Sequence, residues 1–516
     1  MRTIMSFTVF LSLASAQLAA QSVFDCVAPA SPNLSNPVVL GSGAAASVST
    51  AQLQIALDGG GNIRLNIGTD TLALSATLRI TRDTTLDVGG GALSGSSQRR
   101  VLLVENPNNL TYTFNLMNAR IVDGASTTQS GAGLYKPSGG PWQAVTLRIF
   151  NSQFLRNSAV QTAQDDGGGA IYAVGARALI AVGSRFSENS GANGGAIYAL
   201  GTQRVDVFDS VLQSNRASGT GGNPGNGGNG GAIGIDGADR LVNLCRTQLL
   251  DNSAGAFGGG LFTTVYDQTS FTRIDASSIS RNNSVGTSNA HTGGVYLQGG
   301  PFVINSSTFQ DNQASGFGGL AVFDHQTNQG LITSSGSIVN STFAGNRART
   351  GLGGAMVISA TGVVLIQNST IANNRAECSV CFVGGILNSQ NQPLTIRNTI
   401  FENNTGGNAF NPWNLRFPTT GSNNLQWPLV RPNSFGQQEL AVTPSSSFAS
   451  ALLVAIANNG GPTQTHGLAA GSPAINAGSS IGAPAIDQRG AARDAQPDIG
   501  AFELGETSQL FRDGFE

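Results

Sequence analysis

The sequence has few charged residues. They make up 11% of the 516 residues, against about 25% in a typical soluble domain. The net charge is −2 and the pI is about 6.0, and no basic stretch occurs along the chain. This composition lacks the positive footprint that nucleic acid or an anionic membrane surface requires. We therefore expect no nucleic-acid partner.

Long hydrophobic runs are absent after the N-terminus. The apolar stretch at residues 4–13 is too short to span a bilayer, and Ala14-Ser15-Ala16 fits a small-residue cleavage site. No later run reaches the roughly 18 apolar residues of a membrane-spanning helix. These features predict a signal peptide over residues 1–20 and a chain that is secreted or held at the outer cell surface without a transmembrane helix. A disordered or buried N-terminus is the alternative.

Cysteine is scarce, with only Cys26, Cys245, Cys378 and Cys381. Cys378 and Cys381 form a C-x-x-C motif in a predicted loop without a βαβ pattern around it, so an exported chain favours a local disulfide there. A zinc site is the alternative, but it needs two further ligands, and Cys26 and Cys245 lie far away in sequence. Their pairing stays open, and we expect neither a metal nor a cofactor.

Glycine, by contrast, is abundant, at 69 residues, or about twice the usual share. Much of it lies in a repeated motif, Gly-Gly-Ala-Ile, which is intact at residues 168–171, 194–197 and 230–233 and degenerate in five later copies. A second motif, Phe-x-x-Asn, alternates with the first, and Leu or Ile replaces Phe in some copies. Its asparagines recur about every 31 residues, a period typical of solenoids. They are Asn157, Asn189, Asn215, Asn252, Asn282, Asn312, Asn346, Asn374 and Asn404.

Each repeat alternates apolar and small residues in a way that predicts short strands. The Ile and Phe side chains would fill a core, and the glycines would allow tight turns. Identical asparagines in stacked coils can hydrogen-bond along the stack, so we interpret them as a structural ladder; sugar or metal binding is the alternative. The sequence therefore predicts an all-β, right-handed parallel β-helix. A short helix at residues 50–58, N-capped by Thr50, would cap its start, and an irregular segment would cap its end.

The predicted organisation has six parts. They are a signal peptide (1–20), a polar leader (21–49), the N-terminal cap and first rungs (50–150), the repeat region (151–405), a C-terminal capping module (406–504) and a candidate sorting tail (505–516).

Two resemblances to known families follow from these motifs. The alternating Gly-Gly-Ala-Ile and Phe-x-x-Asn pair resembles the passenger repeats of polymorphic outer membrane proteins, which are bacterial adhesins. The segments at 460–466, 471–475, 487–490 and 498–503 (Gly-Gly-Pro-Thr-Gln-Thr-His, Gly-Ser-Pro-Ala-Ile, Asp-Gln-Arg-Gly and Asp-Ile-Gly-Ala-Phe-Glu) resemble the choice-of-anchor Q family of exported bacterial β-helix proteins. These resemblances imply a surface or secreted location and no particular reaction.

The C-terminal module holds the densest group of ionisable residues. We interpret Asp487 and Arg489 as a buried ion pair that stabilises the cap, with a catalytic or metal role as the alternative. The whole polar cluster consists of His466, Asp487, Arg489, Asp498 and Glu503.

Two acidic motifs lie within the repeats, Asp165-Asp166 and Asp324-His325. Neither recurs at the repeat spacing that would stack carboxylates on one face, so we name no catalytic residue. The sequence favours an adhesive protein that binds polysaccharide or another cell surface without catalysis. A polysaccharide-active enzyme on the same fold, a lyase or a glycoside hydrolase, is the alternative, and it would require three or more ionisable side chains converging on one solenoid face.

Overall fold

The computed structural model describes residues 26–222, 225–238, 241–288, 291–389 and 392–505. It shows a right-handed parallel β-helix, as the sequence predicts. Each complete coil contributes one strand to each of three long sheets, and the coils of the repeat region add a fourth, two-residue strand. The predicted signal peptide and most of the sorting tail lie outside the described residues.

Sheet 1 begins each coil and contains the Gly-Gly-Ala-Ile motif at the start of its strands. Its eleven strands are Leu78–Ile80, Leu102–Val104, Leu134–Lys136, Ile171–Val174, Ile197–Leu200, Ile233–Ala238, Leu261–Val265, Val295–Gln298, Leu320–Phe323, Met356–Ser359 and Ile386–Asn388.

Sheet 2 follows sheet 1 in every coil and has the longest strands. Its fourteen strands are Val38–Leu40, Gly61–Leu65, Thr84–Asp87, Tyr112–Met117, Val145–Phe150, Ala178–Val182, Arg204–Phe208, Leu241–Cys245, Phe271–Asp275, Gly300–Asn305, Ser334–Val339, Val364–Gln367, Leu394–Arg397 and Thr420–Ser422.

Sheet 3 contains the Phe of the Phe-x-x-Asn motif, and sheet 4 follows the Asn. The strands of sheet 3 are Thr71–Ala73, Ala92–Ser94, Arg120–Val122, Gln153–Leu155, Arg185–Ser187, Val211–Gln213, Gln248–Leu250, Ser278–Ser280, Thr308–Gln310, Thr342–Ala344, Thr370–Ala372, Ile400–Glu402, Leu425–Trp427 and Ser447–Phe448. The strands of sheet 4 are Ser190–Gly191, Arg216–Ala217, Ser253–Ala254, Asn283–Ser284, Gln313–Ala314, Arg347–Ala348, Arg375–Ala376 and Thr405–Gly406.

One continuous apolar core runs along the inside of the coils. The motif Ile and Phe side chains belong to it, as predicted, and Phe154 stacks on Phe186 with ring centroids 5.1 Å apart. An antiparallel hairpin, His325–Thr327 with Gly330–Ile332, projects between sheets 1 and 2. Within the described ranges, no helix is long and apolar enough to cross a membrane.

The N-terminal cap is the helix α1, Thr50–Gly59, which follows a 3₁₀ turn at Ala45–Ser47. The predicted N-cap was off by one residue: Ser49 is the N-cap, and it forms a capping box with Gln52. Leu53 and Leu57 face the first coil and are fully buried. The helix thus covers the open start of the apolar core.

The predicted C-terminal capping module has two separate contacts with the solenoid. Leu415 and Val442 join the main core and close its last coil. The remainder, from about residue 449 onward, packs against the side of the coils, where Ala451, Leu468 and Ile499 cover Ile400 and Leu425 on the outside of sheet 3. Much of the module is therefore a lateral cover rather than an end cap.

Candidate ligand-binding site

The motif asparagines form a buried hydrogen-bonded ladder. In each step, the side-chain oxygen of one Asn accepts from both the backbone N–H and the side-chain amide of the Asn in the preceding coil. Between Asn189 and Asn215 these two distances are 3.0 and 2.9 Å. The amide of Asn215 also donates to the Phe186 carbonyl at 3.0 Å. The ladder continues past Asn404 to Asn414. These side chains bind one another, so they offer nothing to a ligand.

The left-handed backbone angle lies one residue before each ladder Asn. Ser214, Asp251 and Arg281 have φ of +56°, +56° and +55° and precede Asn215, Asn252 and Asn282. The Asn supplies its side chain to the ladder, and its neighbour supplies the turn. A second ladder, which the sequence analysis missed, uses Ser or Thr hydroxyls two residues before the motif Phe, Leu or Ile: the backbone N–H of Ser184 donates to Ser210 Oγ at 3.0 Å.

All four cysteines form disulfides. Cys378 is bonded to Cys381, and Cys26 is bonded to Cys245 across 219 residues. The second pair, which the sequence left open, ties the polar leader to sheet 2. Because each thiol has a sulfur partner, the zinc alternative does not fit these residues. No group of three or more His, Cys, Asp or Glu side chains within the described ranges is arranged to hold a metal ion.

The C-terminal polar cluster is a network of buried ion pairs. Asp487 and Arg489 are paired at 2.8 Å, and the Arg489 guanidinium lies 3.7 Å from the ring centroid of Phe502. The structure adds Arg493, which is absent from the predicted set and pairs with Glu503 at 2.8 Å. Both Arg493 and Glu503 side chains are 2% exposed.

The remaining cluster carboxylates also have protein partners. Asp498 accepts the backbone N–H groups of Asn476 and Leu504, and burial raises the pKa of its carboxyl. His466 makes no hydrogen bond to the other residues of the cluster. Its Nδ1 lies 2.7 Å from the Val454 carbonyl oxygen, and burial lowers the pKa of the ring. The acids are used to hold the lateral cover, as is typical of structural rather than reactive groups.

The two acidic motifs of the repeats have different surroundings. Asp324 accepts the backbone N–H groups of Ser334 and Thr361 at 2.7 and 2.9 Å and so anchors the hairpin. Asp165 lies in a loop outside sheet 1. Partial burial, together with the negative charge of Asp166, raises the pKa of its carboxyl. His325 points toward the surface of sheet 1, where it meets Tyr266.

An exposed row of rings lies at the end of sheet 1, over turn glycines of successive coils. We call Trp142, Tyr266 and His325 the aromatic strip. Trp142 lies over Gly175 and Gly201, where any Cβ would collide with the indole. Tyr266 follows over Gly237, and His325 over Gly299. All four glycines have φ angles of +56° to +80°, which favour glycine, and at Gly175 and Gly201 the indole of Trp142 also excludes a side chain.

Two rings of the strip, those of Trp142 and Tyr266, are open to solvent, and His325 is half-buried. Trp142 is 57% exposed and Tyr266 is 50% exposed, whereas large aromatics normally bury most of their surface. The His325 ring meets the Tyr266 ring edge-on with centroids 4.8 Å apart. Its Nδ1 lies 2.7 Å from the Val265 carbonyl. The His325 orientation is thus set by the backbone and by Tyr266.

One buried carboxylate borders the strip. The Tyr266 hydroxyl donates to Asp236 Oδ1 at 2.9 Å, and Asp236 is almost fully buried. Burial raises the pKa of Tyr266, and the charges of Asp236 and Asp165 add to the effect. The phenol therefore stays protonated at neutral pH and acts as a hydrogen-bond donor, not as a base.

The strip is not recognisable as a unit in the sequence. Asp165 and Asp324-His325 stand out there separately, whereas Trp142, Asp236 and Tyr266 do not. One signal was present: a single Gly follows the sheet 1 strand in several repeats, as at Gly175 and Gly201. Which rings cover those glycines depends on loops of unequal length.

Comparisons with known proteins give no family. No family model matches the chain, and no curated protein matches it. Solved structures with a similar chain path include tailspike protein 3 of bacteriophage CBA120 (TM-score 0.33, 11% identity, covering 86% of this chain and 68% of that one). Pectate lyase Pel9A gives a TM-score of 0.33 at 13% identity over 90% of this chain and 95% of that one. PfbA, a surface adhesin of Streptococcus pneumoniae, gives 0.29 at 10% identity over 80% and 100%. At these scores the likeness says nothing about function.

Proposed function

We propose that this chain is an exported surface or secreted protein that binds glycans, free or on another cell surface, through the aromatic strip. The observation that carries the proposal is the exposure of Trp142 and Tyr266 side by side over a row of glycines. A rigid ring fixed on a flat backbone offers an apolar face to the C–H surface of a sugar ring. The Tyr266 hydroxyl, which donates to the buried Asp236, can still accept a hydrogen bond from a sugar hydroxyl.

Three further features support export. Two disulfides occur in one chain, and disulfides persist in oxidising compartments outside the cytosol. The resemblance of residues 460–503 to the choice-of-anchor Q family and the predicted signal peptide at residues 1–20 agree with this location. The candidate sorting tail at residues 505–516 would then determine whether the protein is retained at the surface.

A specific observation favours a second function, that of a polysaccharide-active enzyme. Asp236, Tyr266 and His325 are three ionisable side chains that converge on one solenoid face, which is the arrangement that an enzyme requires. Binding is the better supported function because the Tyr266 phenol is held protonated and donates to Asp236, which is almost fully buried, so neither residue presents a base at the surface. A general base needs a free lone pair and a pKa near the working pH.

The experiment is a panel of immobilised and soluble glycans, in which binding and the release of shortened products are scored separately. We expect the wild type to bind at least one glycan and to release no product. The Trp142→Ala/Tyr266→Ala variant should lose at least about tenfold in affinity, because aromatic anchors dominate such contacts. The matched control is Phe435→Ala, since Phe435 is 94% exposed and lies outside the strip. Product release by the wild type would establish the enzyme instead. Equal losses in the strip variant and the control would refute the strip as the binding site.

A further inference from the structure

A second polar surface lies on the outer face of sheet 2. Side chains at one register position of six successive strands point away from the core, because the alternate positions, such as Leu147 and Ile149, are core residues. We call this set the polar row. It consists of Asn115, Arg148, Ile180, Asp206, Asn243 and Arg273.

All five polar members of the row have a buried atom without a hydrogen-bond partner among the described residues. These atoms are Nε of Arg148 and Arg273 and Oδ1 of Asn115, Asp206 and Asn243. Asp206 is fully buried, and burial raises the pKa of its carboxyl, although the neighbouring Arg204 and Asn243 side chains oppose this shift. Buried polar atoms are almost always paired. Five unpaired ones in a single row indicate a partner that binds along the row.

The charged side chains of the row differ in whether they have an ion-pair partner. Arg204 pairs with Asp206, and Arg273 pairs with Asp275. Arg148 has no carboxylate within ion-pair distance among the described residues, so it is the unneutralised cation of this surface. A guanidinium in that position favours a carboxylate or sulfate on its partner.

The leader lies along this surface as an extended strap, residues 26–37. One end is fixed where Cys26 is bonded to Cys245 and accepts a hydrogen bond from Arg246 at 2.7 Å. At the other end the Ser35 carbonyl accepts from Asn62 at 2.7 Å, just before the edge strand Val38–Leu40. The two contacts are six strands apart in sheet 2, which is about 29 Å at ~4.8 Å per strand. The chain from Cys26 to Ser35 reaches only about 31 Å when fully extended, so the strap must run nearly straight.

The strap covers the row without satisfying it. Asn62 occupies the same register position as the row, two strands before Asn115. Phe150 and Phe208 point outward next to the row and are nevertheless buried. The five unpaired atoms, however, make no hydrogen bond to the strap. The strap therefore lies over the polar row and leaves the hydrogen-bonding capacity of these five atoms unused.

We propose that the polar row is a binding site for an extended acidic oligosaccharide, which enters when the strap is displaced. The row spans five strand intervals, about 24 Å, so it fits a linear chain rather than a compact small molecule. An acid group of the sugar would lie on Arg148, and hydroxyls would donate to Asp206 and Asn243. Ile180 would contact the face of a ring. This face is separate from the aromatic strip, and the proposal does not depend on binding there.

The test uses oligogalacturonate of defined length as the acidic probe and a cello-oligosaccharide of equal length as the neutral probe. Calorimetric titration compares the oxidised wild type with Cys26→Ser, which frees the strap. We expect the variant to bind the acidic probe at least about tenfold more tightly than the wild type and more tightly than it binds the neutral probe. The Phe435→Ala change, which lies outside both surfaces, should leave this affinity unaltered. If Cys26→Ser does not fold, the wild type is titrated after mild reduction, with circular dichroism confirming that the solenoid persists.

Arg148→Gln in the strap-free background identifies the residue that binds the acid. Loss of one charge-assisted hydrogen bond should weaken binding by about tenfold or more. The matched control is Arg185→Gln, an exposed arginine on sheet 3 whose guanidinium already pairs with Ser187 and Gln213. Failure of the strap-free protein to bind the acidic probe overturns the proposal. So does equal binding of the two probes, or an equal effect of the Arg148 and Arg185 changes, which would indicate diffuse attraction only.

Discussion

The ammonium group of Lys136 donates a hydrogen bond of 2.6 Å to the backbone carbonyl of Val174 in the next coil. Lys136 is the only lysine among 516 residues, and it is only 3% exposed. No carboxylate pairs with it among the described residues. Burial lowers the pKa of its ammonium from 10.5 to about 8. The solenoid thus encloses its single lysine in a site that disfavours the charge.

Replacing this lysine should stabilise the protein at neutral pH. The Lys136 amine binds its proton less tightly in the folded chain than in the unfolded chain. Folding therefore carries a free-energy penalty below pH 8, and this penalty is relieved as the pH rises toward 10.5. A shift of that size corresponds to at most about 3 kcal/mol. We expect Lys136→Met to raise the free energy of unfolding by part of this amount at pH 7. The stability of the variant should also depend less on pH between pH 8 and 10. Chemical denaturation at several pH values measures both, and a wild-type stability that falls across that window would contradict the assignment.

A break in the middle of the asparagine ladder should lower the free energy of unfolding. Asn215→Ala removes two donated and two accepted hydrogen bonds and leaves buried partners unpaired, so we expect a loss of about 3–5 kcal/mol. Ser214→Gly is the control next to it: φ at Ser214 is +56°, a conformation that glycine adopts freely, and the change should stay within about 1 kcal/mol. Thermal and denaturant unfolding compare the two. Similar losses in both variants would show that the ladder contributes little.

The lateral cover should depend on one buried arginine. Arg493→Met leaves Glu503 buried without its cation, which typically costs about 3–5 kcal/mol. We expect residues 449–504 to become protease-sensitive while the coils stay intact, as followed by limited proteolysis with mass spectrometry. The double variant Arg493→Met/Glu503→Gln should recover part of the protection.

An exposed ion pair supplies the comparison for that experiment. Arg281 and Asp251 are paired at 2.7 Å, with side chains 53% and 35% exposed, so Arg281→Met should cost no more than about 1 kcal/mol. A cover that remains protected in Arg493→Met would rule out the ion pair as its anchor.

The two disulfides should differ in their effect on stability. The Cys26–Cys245 bond closes 219 residues and the Cys378–Cys381 bond closes three. On the chain-entropy model, the long closure is worth about 5 kcal/mol and the short one much less. Cys26→Ser should therefore lower the denaturant midpoint far more than Cys378→Ser/Cys381→Ser. It should also increase binding of an apolar dye, because Phe150 and Phe208 lose their cover. Equal midpoints would indicate that the strap adds no stability.

Much of the fold could be predicted because the repeat places equivalent residues at equivalent points of each coil. Phe154 and Phe186 stack because each is the Phe of the same Phe-x-x-Asn motif in neighbouring coils. The Ser/Thr ladder at Ser184 and Ser210 was equally visible in sequence and was overlooked. The N-cap at Ser49 rather than Thr50 is a one-residue error of the usual kind for helix ends.

The candidate site could not be predicted in the same way. Trp142 and His325 are 183 residues apart (325 − 142) and meet one row of glycines only after five intervening coils have stacked. Asp236 and Tyr266 are hydrogen-bonded because Asp236 pairs in register with Thr264, two residues before Tyr266, in neighbouring strands of sheet 1. The intervals between repeats differ in length, so the sequence does not tell which loop side chains come together.

The sequence by itself determined the β-helix, its core and its asparagine ladder, because these depend on contacts that recur once in every coil. Only the tertiary structure decided which outer faces are open and which are covered. The aromatic strip, the strap held by Cys26 and Cys245, and the cover held by Arg493 and Glu503 each join residues from distant parts of the chain. Such contacts occur once and have no period in the sequence, and they determine which surfaces of the solenoid a ligand can reach.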